Sequence, residues 1–75
     1  KNQRLKIERR IEEIEKAIPA LEESLAALSL ELSDGEIAAD RAKWQAVSAE
    51  YEKTEQKIQS LYAEWDDLSK QINAS

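Results

Sequence analysis

The sequence predicts an all-α protein built as an antiparallel two-helix coiled-coil hairpin. Three observations carry that prediction. Apolar side chains recur at spacings of three and four over two long stretches. The chain's single glycine sits between those stretches, among turn and capping residues. The composition is heavy in Ala, Glu, Leu, Lys, Gln and Ile, with one Gly and one Pro, which suits long helices and excludes collagen-like or multi-turn β folds.

The first helix is predicted over about residues 3–33. Its seam reads Ile7, Ile11, Ile14, Ile18, Leu21, Leu25, Leu28 and Leu32. Ile11, Ile18, Leu25 and Leu32 take the a positions of the heptad, and the others take d. Pro19 falls at a b position. It lacks the amide hydrogen that would bond the Glu15 carbonyl, at an interior cost of about 3 kcal/mol. The heptad phase runs through it unchanged, so a kink is expected there and not a reversal.

The connection is predicted over 34–40, within Ser33-Asp34-Gly35-Glu36-Ile37-Ala38-Ala39-Asp40. Gly35 suits a left-handed helix end. Ser33 with Glu36 fits a capping box. Asp40 fits an N-cap for the helix that follows. The two caps are compatible if a short helical turn lies within the connection, and the sequence does not choose between these readings.

The second helix is predicted over about 41–73. Its seam is Trp44, Val47, Tyr51, Thr54, Ile58, Leu61, Trp65, Leu68 and Ile72, with Trp44, Tyr51, Ile58, Trp65 and Ile72 at a. Trp44, Tyr51 and Trp65 are therefore expected in the core, and Tyr62, at e, is the aromatic left to meet a partner. Antiparallel pairing in one register matches all eight layers, from Ile7 with Ile72 and Ile14 with Trp65 to Leu32 with Val47. Each arm is then about 45 Å long at 1.5 Å per residue.

Composition excludes several functions. Of the apolar residues eleven are Ala, which leaves too few bulky side chains for a thick core, so one domain is the ceiling. Without Cys there is no disulfide framework. Without His there is no Ser-His or Cys-His dyad and little basis for zinc. No glycine-rich loop is present to cradle a phosphate. The adjacent pairs Glu12-Glu13, Glu22-Glu23 and Asp66-Asp67 point about 100° apart on a helix and so belong to solvated faces, not to an acid–base pair. Glu12 with Lys16 and Asp66 with Lys70 have i,i+4 spacing. No catalytic residue, metal ligand or cofactor site is assigned. No apolar run is long enough for a membrane span and no signal segment is evident, so a cytoplasmic location is expected.

Charge is unevenly placed. The net charge of −5 hides a stretch at residues 1–10 with Lys1, Arg4, Lys6, Arg9 and Arg10 against Glu8 alone. Residues 21–40 carry Glu22, Glu23, Glu31, Asp34, Glu36 and Asp40 with no basic residue. In a hairpin the basic stretch lies at the open end and the acidic stretch at the tip. Arg4, Lys6, Arg9, Arg10, Lys16 and, from the returning helix, Lys70 are the candidate nucleic-acid-binding residues, because cations placed together neutralise phosphates and release counterions. Basic residues in a first helical turn oppose the helix dipole, which suggests a helix continuing from an upstream segment.

Three stretches carry a family resemblance. They are Ile14-Glu15-Lys16-Ala17-Ile18-Pro19-Ala20-Leu21-Glu22-Glu23-Ser24-Leu25-Ala26-Ala27-Leu28, the connection Leu32-Ser33-Asp34-Gly35-Glu36-Ile37-Ala38-Ala39-Asp40, and Leu61-Tyr62-Ala63-Glu64-Trp65-Asp66-Asp67-Leu68. In order and spacing they resemble the C-terminal coiled-coil domain of ABC-F ATPases of the Uup type, over about residues 5–70. That family has an "LP-x-x-I-x-x-L-E" first helix, an "L-S-D-P-E" connection and a closing "Y-x-x-W-x-x-L". Gly35 stands where the family usually has Pro, and Ala38 where an aromatic is frequent. The resemblance implies a C-terminal fragment of a larger ATPase, with two ATP-binding cassettes upstream that hold ATP and Mg and no membrane part. It also implies DNA binding or ribosomal RNA contact, since Uup-type domains are associated with DNA and ABC-F proteins work on ribosomes.

The leading expectation is a non-catalytic accessory domain that binds nucleic acid, DNA or ribosomal RNA, through its basic open end. The alternative is a protein-interaction or spacer coiled coil without nucleic-acid affinity. An RNA-touching arm like that of seryl-tRNA synthetase shares only the architecture. A homo-oligomeric coiled coil packed through Ala26, Ala27, Ala42, Ala46 and Ala49 leaves the oligomeric state open.

Overall fold

The computed structural model of the chain describes residues 2–74 and is helical almost throughout. Helix α1 spans Asn2–Leu32, a short α2 spans Gly35–Ala39, and α3 spans Arg41–Ala74. The two long helices lie side by side and antiparallel, with α2 across the tip, in a rod of 56 × 15 × 14 Å. This is the all-α hairpin that the heptads predict. Among the described residues no helix is long and apolar enough to cross a membrane.

The core is a single seam. Ile14 is fully buried, Ile18 and Ile58 are nearly so, and the remaining seam residues from Ile7 to Leu32 and from Val47 to Ile72 are half-buried. Two helices can enclose only the stripe where they touch, so each seam side chain keeps one edge in water. α1 continues through Pro19 without interruption.

Trp44 departs from the expected core and is 40% exposed. α1 ends at Leu32, and the register uses that last layer against Val47. One turn earlier on α3, Trp44 borders an open depression at the tip together with Ala38, Ala39 and Arg41.

The connection resolves into two aspartate caps. The side chain of Asp34 accepts the Glu36 amide at 2.9 Å and so caps α2, with its own backbone extended at φ −75°, ψ 125°. Asp40 closes α2 by donating its amide to the Ile37 carbonyl, and its Oδ1 accepts the Ala42 and Lys43 amides at the start of α3. The Ser33–Glu36 capping box does not form. Ser33 continues the last turn of α1, where its hydroxyl donates to the Leu30 carbonyl at 2.9 Å, so it serves a C-terminus and not an N-terminus. Gly35 is not in a left-handed conformation either, because it opens α2 one residue after the Asp34 cap.

Candidate nucleic-acid interface

Helix geometry distributes the six candidate cations over different faces. On α1 the seam side is marked by Ile7, Ile11, Ile14 and Ile18. At 100° per residue, Arg9 and Lys16 fall on the outer face, away from α3, and Lys6 falls between that face and the flank of Arg10. Arg4, seven residues before Ile11, continues the a row of the seam toward the open end, and Arg10, at g, flanks the seam. Lys70 stands two residues beyond Leu68 on α3, on the face turned away from α1. The hairpin therefore does not gather the six into one patch. Lys1, counted with them by sequence, lies outside the described residues.

Their partners differ as well. Arg10 is engaged with α3: its Nε and Nη2 donate to the two carboxylate oxygens of Glu64 at 2.7 and 2.9 Å. The hydrogen bond raises the Arg10 pKa and holds the Glu64 carboxyl below the usual carboxylate value. Lys70 pairs with Asp66 at 3.1 Å, one turn earlier on the same exposed face. Arg4, Lys6, Arg9 and Lys16 are exposed, with no ion pair or side-chain hydrogen bond among the described residues. Arg4, Lys6 and Arg9 lie nearer the open end than Lys16, and Glu8, Glu12 and Glu13 are the acidic residues within four positions of them on α1.

Two further cross-helix bonds were not anticipated from the sequence. The Trp65 indole donates to Glu15 at 3.1 Å, and the Tyr62 hydroxyl donates to Glu22 at 3.4 Å. The first brings Trp65 within one residue of Ile14, its partner in the heptad register. Heptad letters contain the missing signal. Antiparallel pairing sets g positions against g and e against e, and Arg10 with Glu64 are both g while Glu22 with Tyr62 are both e. Among the described residues, no group of three acidic side chains is placed to hold a metal ion.

Taken chemically, the exposed cations near the open end suit backbone phosphate contact and not base readout. Residues 3–70 match the model of the family described as the ABC transporter C-terminal domain. No curated protein and no solved structure gave a match.

Proposed function

The chain belongs to the ABC transporter C-terminal domain family, and on that premise we propose that it is an accessory domain adding nucleic-acid affinity to an ABC protein of the ABC-F, Uup type. The ligand class is DNA or ribosomal RNA, met through phosphates. In this reading the domain has no reaction of its own. ATP hydrolysis, with its Mg, belongs to the cassettes that the resemblance sets upstream.

One observation carries the reading: Arg4, Lys6 and Arg9 are exposed near the open end without an acidic partner among the described residues, in a chain whose net charge is −5. An acidic tip would repel the same phosphates. It lies roughly 45 Å away at 1.5 Å per residue, against a screening length of about 8 Å at physiological salt. The two ends thus act independently, and the charge distribution turns the open end toward the ligand.

A salt titration with duplex DNA and with a structured RNA tests this. Three phosphate contacts give a log–log salt slope near −3 on duplex DNA, at about −0.9 per phosphate. Reversing charge at Arg4, Lys6 and Arg9 together abolishes binding, whereas reversing Lys53 and Lys57 on α3 does not. Unchanged affinity in the triple variant removes this surface. Absence of binding by the parent chain at physiological salt leaves the protein-interaction or spacer role.

A further inference from the structure

We infer that the groove beside Pro19 is a docking site for a basic protein segment, which it takes by arginine side chains set against Glu15 and Glu22. The groove is an open depression of about 270 Å³ lined by Glu15, Ile18, Pro19, Glu22, Tyr62 and Trp65. Ile18 and Pro19 give it an apolar floor, and the two α3 aromatics form a wall.

The polar groups are arranged in an unusual way for a surface coiled coil. Glu15 Oε2 accepts from the Trp65 indole and Glu22 Oε2 accepts from the Tyr62 hydroxyl. Both donors are neutral. They hold the carboxylates against the groove without cancelling their charge, and neither glutamate has a cationic partner among the described residues. The second oxygen of each carboxylate is without a partner there. Pro19, lacking an amide hydrogen, also leaves the Glu15 carbonyl without its helical i+4 donor.

An apolar, aromatic-walled groove with two uncompensated carboxylates calls for a side chain with an apolar stem and a planar cationic head. Arginine fits on each count: its stem covers the floor, its guanidinium stacks on a Trp or Tyr face, and its paired donors match a carboxylate. Glu15 and Glu22 are one heptad apart, about 10 Å along α1. Two arginines three residues apart in a polyproline II segment, which repeats every three residues, lie on one side with nearly the same spacing, at about 3.1 Å per residue. The occupant is therefore a peptide segment of the form Arg-x-x-Arg. Phosphate is excluded by charge, so this site and the nucleic-acid surface at the open end stand or fall separately.

Fluorescence anisotropy of a labelled extended Arg-x-x-Arg peptide, titrated with the 75-residue chain, tests the inference. Replacing both arginines by citrulline keeps the shape, removes the charge, and lowers affinity by about tenfold or more, as expected when charge-assisted pairs are lost. Glu15→Gln and Glu22→Gln each weaken binding several-fold. Glu23→Gln removes the same charge from the neighbouring, outward-facing position and leaves affinity as it was. The inference is overturned if the citrulline peptide binds equally well, if Glu23→Gln costs as much as Glu22→Gln, or if the arginine peptide does not bind. Circular dichroism confirms that each exposed Glu→Gln variant is folded.

Discussion

Arg10 and Glu64, 54 positions apart in sequence, join α1 to α3 through two parallel hydrogen bonds of 2.7 and 2.9 Å. The pair lies beside the seam near the open end and uses a cation that composition alone would assign to a ligand. Releasing it should change function more than stability, because exposed ion pairs contribute little to folding. Glu64→Gln is expected to lower Tm only slightly, with the difference vanishing at high salt. Nucleic-acid affinity should rise and its salt slope steepen, since Arg10 then becomes available. Equal affinity for the parent and Glu64→Gln would show that Arg10 contributes nothing to binding.

The same pair has a pH signature. The Glu64 carboxyl is held below its ordinary value by the Arg10 hydrogen bond. A depressed carboxylate stabilises the fold above its unfolded-state pKa, and that contribution is lost as pH falls through the folded-state pKa. Thermal melts should therefore show the parent and Glu64→Gln converging as pH drops below about 4, the ordinary carboxylate range. A gap that widens with acid would contradict the assignment.

The seam concentrates stability in few side chains. Ile14→Ala removes the one side chain that is fully buried among the described residues and should cost about 2–5 kcal/mol. In a chain this small that removes much of the folding free energy. Leu30 is 74% exposed, and Leu30→Ala should stay within about 0.5 kcal/mol. Urea denaturation followed by circular dichroism separates the two.

The tip offers a gain. Gly35 opens α2, where a missing amide hydrogen is tolerated, and a Cβ built there meets nothing within 4 Å. Asp34 before it already has the extended backbone that a residue preceding proline requires. Gly35→Pro should raise stability by about 0.4–1 kcal/mol, through the unfolded state. A lower Tm would mean that the connection is set differently. The departure from the family's usual proline at this position is thus expected to cost stability without changing the path of the chain.

Caps can be told apart in the same assay. Asp40→Ala removes the acceptor for two amides at the start of α3 and should cost about 1 kcal/mol. Ser33→Ala should change little, because its hydroxyl only supplements the end of α1.

The heptads alone determined the hairpin, the identity of the seam, the position of the reversal and the charge at each end, because periodicity and charge order are properties of a single strand of chain. They also marked Pro19 as a place where a helical bond is missing. Tertiary structure decided what lies opposite what. It gave Arg10 to Glu64, turned Lys70 away from Arg9, left Trp44 exposed at the tip, and brought Tyr62 and Trp65 onto Glu22 and Glu15. Those outcomes depend on the stagger and facing of two helices. A difference of one turn, about 5.4 Å, exchanges every flanking partner while leaving the seven-residue repeat intact.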